Sequence, residues 1–290
     1  MPNLKDIRKR IASVRSTQKI TRAMKMVAAA RLRRAQQNID RLRPYADRVI
    51  DVLSALATRA DQQDHPLLAR RDPPSKVLLV VLTSDRGLCG GFNANVNREA
   101  ERTAARLSNS GAHVEMDVIG RKGRDYLRRR PVTIRREVTG ISGLVDYNRA
   151  AELARDITRE YTTASLDAAF LVYNEFKSAM TQKVKVEELL PVRPREDASG
   201  QYPFDFIYEP DKASLLARLP AMYVEVELYR ALLESVASEF GARMTAMENA
   251  TKNASEMIDN LTLVANRVRQ AGITKEILEV MGGAEALKGR

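Results

Sequence analysis

The sequence has one cysteine, Cys89, two histidines and no tryptophan in 290 residues. A single cysteine excludes an internal disulfide framework and any multi-cysteine metal site. His65 and His113 stand far apart, which argues against a histidine-rich metal centre. Aromatic residues make up only 5%. The longest clean apolar run covers residues 77–82, far short of the roughly 20 residues a membrane helix needs. With 14 Gly and 11 Pro the chain is neither collagen-like nor low in complexity. At 44% hydrophobic residues it is too apolar for a disordered polyelectrolyte. Its length suits one large or two medium domains. These limits predict a soluble, basic protein of a reducing compartment.

What is present in excess is positive charge, and it is concentrated. Residues 1–48 carry fourteen Lys and Arg against three Asp, the whole formal net charge of +11. The rest of the chain balances. An electrostatic partner is therefore expected at the N-terminal segment. An Arg-rich, acid-poor start also fits an organelle transit peptide. Against that, the pattern runs on far longer than a presequence, and no break separates it from the residues after it.

The hydrophobic period divides the chain in three. Leu4, Ile7, Ile11 and Val14 follow helical spacing, and so, after a phase change, do Ala28, Leu32, Ala35, Ile39, Leu42, Ala46, Val49, Leu53 and Leu56. Between them, residues 16–21 keep no single register apolar, which predicts local unwinding or a change of partner. Pro44 predicts a kink. Residues 61–75 read as a linker. Strands are then expected at 77–82, 114–119, 132–138, 168–175 and 184–190. Helices are expected at 93–107, 122–130 and 147–163. That alternation suggests an α/β domain with a mainly parallel sheet. Residues 191–211, rich in proline, read as a second linker or exposed loop. The helical period returns at Met222 and persists, so that an unbroken helix from 220 to 272 would be about 80 Å long.

Two apolar stripes from opposite ends of one chain, each too long for a compact core, are most simply paired. The predicted fold is α/β plus long α: an antiparallel two-helix coiled coil from the N- and C-terminal segments with an inserted Rossmann-like α/β domain. The expected divisions are 1–60 for the first helix, 76–195 for the α/β domain and 209–290 for the last helix. The last strip has 12 acids against 10 bases, so it can accept a basic partner helix.

Chemistry-bearing motifs are few. Ser84-Asp85-Arg86-Gly87-Leu88-Cys89-Gly90-Gly91 is a glycine-rich turn from strand to helix, the kind of place where backbone amides can hold phosphate. It matches neither GxGxxG nor a P-loop, so a structural turn is the preferred reading and a nucleotide-binding enzyme the rival. Cys89 reads as a small buried hydrophobe rather than a reactive thiol. No GxSxG, HExxH or CxxC pattern occurs, and neither cofactor nor metal is expected. The basic helix leaves three readings open: a solvated coiled-coil face, a docking face for an acidic protein, or a nucleic-acid binder lacking aromatics before Tyr45. Ile273, Ile277, Leu278, Val280 and Met281 extend past the first helix in an antiparallel pairing, forming an apolar tip that needs another cover.

Several segments resemble one family, in order and over essentially the full length. They are Ile11-Ala12-Ser13-Val14, Thr17-Gln18-Lys19-Ile20-Thr21 and Ala23-Met24-Lys25-Met26-Val27-Ala28-Ala29, then residues 84–93, then Tyr208-Glu209-Pro210. On the last helix they are Arg243-Met244, Ala246-Met247, Ala250-Thr251, Arg269-Gln270-Ala271, Ile273-Thr274 and Glu276-Ile277. They are similar to the gamma subunit of F-type ATP synthase, bacterial type. Gly272 departs from the pattern, where the family usually has Ser.

The resemblance implies a central-stalk rotor that is not catalytic alone. It implies one copy per complex inside a ring of alpha and beta subunits, with an epsilon subunit, a membrane c-ring and a delta subunit elsewhere in the assembly. It implies beta-subunit coupling contacts at Met24, Lys25, Arg269, Gln270, Thr274 and Glu276. It makes the tip at 273–281 a low-specificity bearing, and Phe206, Tyr208 and Glu209 a foot for the c-ring and epsilon. It implies no nucleic-acid partner. The absence of a presequence before the motif favours the cytoplasmic face of a bacterial inner membrane, with membrane contact only through the c-ring. A single Cys argues against the thiol control of the plant plastid form.

Overall fold

A computed structural model describes residues 3–58, 65–140, 145–193, 209 and 211–288. It divides into two units, one of Met1–Val27 with Met244–Arg290 and one of Ala28–Arg243. The described elements are α1 (Leu4–Thr58), β1 (Lys76–Leu82), α2 (Phe92–Asn109), β2 (His113–Ile119), α3 (Arg121–Leu127), β3 (Thr133–Val138), α4 (Tyr147–Thr162), β4 (Ala168–Phe176), β5 (Gln182–Leu190) and α5 (Lys212–Lys288).

The larger unit is built on a five-stranded sheet in the order β3-β2-β1-β4-β5. β1 pairs in parallel with β2 and β4, and β2 with β3, whereas β5 returns antiparallel on β4. The β1 run reads as continuously apolar because both of its faces are covered. Leu78, Val80 and Leu82 enter one core with Ala150, Leu153, Ala154, Ile157 and Tyr161 of α4. Val77, Leu79 and Val81 enter the other with Val96, Ala100 and Ala104 of α2 and Leu127 of α3. The expected strands and helices appear within a few residues of their predicted bounds.

The long helices are part of this domain's wall. Ile50 and Leu53 of α1, with Val224, Leu228, Ala231 and Leu232 of α5, share the α4-side core. The two helices run antiparallel here: Arg31 lies over the Phe240 ring at 5.6 Å, and the Tyr45 hydroxyl donates to Met222 Sδ at 3.3 Å. Both linker expectations need correction. The described part of the first linker is not loose, because Leu67 and Leu68 are buried in the core and Arg71 donates to the carbonyls of Leu166 and Tyr161. Val192, at the start of the second, is buried too, while 194–208 lie outside the described residues. Pro44 stands exposed inside α1, which runs on past it, and solvent can reach the carbonyl it leaves unpaired.

β3 is an edge strand, and its charges point inward. Arg135 reaches Asp117 on β2 at 2.6 Å and also pairs with Glu160 of α4; Arg136 meets Asp156 at 2.9 Å. Asp117 is fully buried, and a register shift lies beside it. Inward charge and an irregular ladder both discourage edge-to-edge pairing.

The smaller unit is a two-helix pair. Lys25 Nζ donates to Glu248 at 2.6 Å, and the hydroxyls of Thr21 and Thr251 meet at 2.7 Å, so facing positions fall on α5 as they rise on α1. Ile7 on α1 and Met247 and Ala254 on α5 are buried in the seam. Of the two expectations at 16–21, local unwinding or a change of partner, the first does not occur: α1 is continuous there, and the polar step in the seam is met by a hydroxyl pair across it.

Asp117→Ala leaves the partly buried Arg135 with Glu160 alone and should cost about 2 kcal/mol; a urea unfolding midpoint equal to wild type would contradict that role. Ala254→Pro should break the α5 ladder at a cost of ~3 kcal/mol or more, read as loss of helicity by circular dichroism on heating.

Candidate functional site

In an open sheet of this order, ligands bind outside the carboxyl ends of the strands, where the strand order reverses. Here that place is beside β1, at the loop 84–91. The loop's polar groups are taken up by itself and by its neighbours in the fold. Ser84 N donates to Asn93 Oδ1 at 2.9 Å and Ser84 Oγ to the Arg86 carbonyl at 2.6 Å. Asn93 Nδ2 donates to Ser84 Oγ and to Cys89 Sγ. The Asp85 carboxylate accepts from the backbone N–H of Arg121 and of Gly140, both at 3.0 Å.

α5 then closes the crevice. Arg243 donates to the carbonyls of Arg86 and Gly87, both at 3.2 Å, and pairs with Glu239 at 2.7 Å. Burial pushes the Glu239 carboxyl up against the opposing pull of Arg243. Behind it, Gly120 (φ +103°) lets the β2–α3 turn press against Thr83, whose carbonyl oxygen would stand 2.2 Å from any Cβ there. The space left between Thr83, Gly120, Ser235 and Glu239 is about 10 Å³, which is at most one water and no nucleotide. Burial also raises the Cys89 thiol, as expected of an inert buried cysteine. His65 accepts from the Leu67 N–H, and His113 is exposed beside Glu115. No cluster of His, Cys, Asp or Glu suited to a metal occurs among the described residues.

The informative surface is that of the smaller unit. Met24 and Lys25 sit together, half-buried, with Lys25 held by Glu248. Arg269, Gln270, Thr274 and Glu276 are all exposed, and Thr274 Oγ1 donates to the Gln270 carbonyl at 3.0 Å. From Glu248 to Arg269 is about 30 Å of helix, so these candidates form two separate stations. The tip is bare: Ile273 is 49% exposed, Leu278 63% and Val280 72%, with Ile277 and Met281 similar. Glu209 is exposed, whereas Phe206 and Tyr208 lie outside the described residues.

Sequence reasoning missed a further set on the same unit. Ile20, Met26 and Val27 of α1 and Met257, Leu263 and Val264 of α5 are also exposed. Their signal was available: each is apolar and falls off the seam that its own helix uses. Of the fifteen large hydrophobics exposed among the described residues, eleven belong to this unit. A surface of that kind calls for a cover. Basic residues stand among them: Arg8, Lys9, Arg10, Arg15, Lys19 and Arg22 are exposed along α1.

Comparison with known proteins agrees on one family. A family model described as ATP synthase matches residues 3–287. The ATP synthase gamma chain of Anaeromyxobacter sp. (strain Fw109-5) is 50% identical, with 99% of this chain and all of the relative aligned. That of Geobacter sp. (strain M21) is 48% identical with both chains fully aligned. Among solved structures, a central-stalk and c-ring structure of the Tetrahymena thermophila mitochondrial ATP synthase matches with a TM-score of 0.61 at 31% identity, over 80% of this chain and 99% of that one. A Euglena gracilis mitochondrial ATP synthase structure shares the fold at a TM-score of 0.68 and 22% identity, over 98% and 94% of the two chains. The family model and the relatives cover this chain almost from end to end: the chain belongs to the ATP synthase gamma chain family.

Proposed function

We propose that this chain turns as the central rotor of a proton-translocating ATP synthase, coupling rotation of a c-ring to ATP synthesis or hydrolysis at beta-subunit sites. It is a rotor subunit of that complex rather than a catalyst by itself. The observation that carries the reading is the concentration of exposed apolar side chains on the two-helix unit, a surface made to run inside other proteins.

In this reading the parts 1–60 and 209–290 are the shaft and 76–195 is its base. Met24 and Lys25 meet an acidic loop of a beta subunit, and the neighbouring bases supply an orienting field. Arg269, Gln270, Thr274 and Glu276 meet beta subunits nearer the tip. Ile273, Ile277, Leu278, Val280 and Met281 are the bearing, where adaptable apolar contact suits a ring that meets the shaft at many angles. Phe206, Tyr208 and Glu209 face epsilon and the c-ring. The ring consists of alpha and beta subunits, delta sits elsewhere in the complex, and the chain is present in one copy. No helix among the described residues is long and apolar enough to cross a membrane, so the chain is peripheral and reaches the bilayer through the c-ring, at the cytoplasmic face of a bacterial inner membrane. The nucleic-acid and nucleotide-enzyme alternatives draw no support from the relatives reported above, and at residues 84–91 the loop's polar groups and carbonyls are already engaged by Asn93 and Arg243.

Affinity purification through a tag on this chain should recover an ATPase-active complex with alpha, beta and epsilon subunits; recovery of the chain without them would sink the reading. Met24→Lys puts a second cation beside Lys25 at a crowded contact. In membrane vesicles it should lower proton pumping relative to ATP hydrolysis, and an unchanged ratio would remove Met24 from the contact.

A further inference from the structure

Within the larger unit, α5 rests on the sheet largely through apolar side chains, Leu228, Ala231 and Leu232 among them. Apolar contact is non-directional. A helix twisted about its axis can roll across such a face without losing much of it. One line on α5 is built differently. Glu227, Arg230, Glu234 and Ser238 recur at helical spacing and face β4 and β5.

Arg230 is the centre of this line. Glu227 and Glu234, one turn to either side, hold its guanidinium, with Nη1 to Glu234 at 2.6 Å. Nη2 reaches off the helix to Glu187 on β5 at 2.8 Å and to the Tyr173 hydroxyl on β4 at 3.3 Å. Tyr173 in turn donates to Glu187 at 2.7 Å, and Lys185 pairs with the other Glu187 oxygen at 2.6 Å. Further along, Ser238 Oγ donates to the Asn174 carbonyl at 3.0 Å. Burial alone would raise the Glu187 carboxyl, but Arg230, Lys185 and the Tyr173 hydroxyl bring it below its ordinary value. Glu234 stays raised by its burial, and its Oε2 is buried with no hydrogen-bond partner.

An assembly of this kind is a poor source of stability. Desolvating four charged groups offsets most of what their attraction returns, and a matched apolar set would hold the helix as well. What it adds is direction. A planar guanidinium fixed from its own helix on two sides and bonded to two strands permits one rotation of the helix about its axis.

We propose that Arg230 is a positioning residue that keys α5 to strands β4 and β5, so that torque crosses between the sheet domain and the helix without slip. This rests on the rotor reading and adds the place where the load is borne.

The test uses the assembled complex in inverted vesicles, with ATP hydrolysis and proton pumping followed as the proton gradient builds. Tyr173→Phe with Glu187→Met removes both strand-side partners at nearly constant volume and leaves Arg230 paired on its own helix. Hydrolysis without a gradient should match wild type, and pumping should be lost progressively as the gradient rises. Arg230→Lys keeps the charge without the fork and should show a smaller loss of the same form; it also serves if the double variant does not assemble. Wild-type pumping at every gradient in an assembled variant overturns the proposal. So does a parallel fall of hydrolysis and pumping at all gradients, which is the mark of simple destabilisation. A wild-type complex that hydrolyses ATP without pumping would overturn the rotor reading instead.

Discussion

Everything in this molecule depends on the antiparallel pairing of the chain's two ends. α1 and α5 each carry an apolar stripe that cannot be left in water. In the larger unit the stripes find both each other and the sheet, so Leu53 and Leu228 are buried on several sides. In the smaller unit each helix has only the other. A two-helix pair can bury one seam, and there Ile7, Met247 and Ala254 are covered while Met26, Leu263 and Val280 are not. The exposed apolar surface is thus a geometric consequence of running two helices alone, and its composition suits enclosure by other subunits.

The sheet domain shows a fold adapted away from its commonest use. Strand order and the position of the 84–91 loop reproduce a ligand crevice, yet Arg243, Glu239 and the Thr83–Gly120 contact fill it. A loop that offers amides to a phosphate elsewhere here offers carbonyls to a guanidinium. The result is a rigid body rather than a pocket. Further along the same helix, Arg230 makes a second polar attachment to the sheet, through β4 and β5.

Much of this is legible in one dimension, for physical reasons. The β1 run is recognisable because a strand covered on both faces must be apolar at every position. The helices of the two ends are recognisable because a seam repeats at three and four over many turns. The tip at 273–281 stands out because its apolar residues outrun the partner helix. The off-seam apolar residues, Ile20, Met26 and Val27, are harder to see, since a seam is read by what fits and these are what does not. The segment 65–75 misleads because proline and charge mark turns but do not say whether a Leu67-Leu68 pair between them reaches a core.

By itself, then, the sequence determined the elements, their order, the concentration of positive charge on α1 and the family. Those properties are local or periodic and need no third dimension. Only the tertiary structure decided that the crevice is closed, that Asp117 is buried with Arg135, and that Arg230 spans from its helix to two strands. Each of these joins residues far apart in the chain, and a charged side chain declares its partner only when folding has removed the water between them.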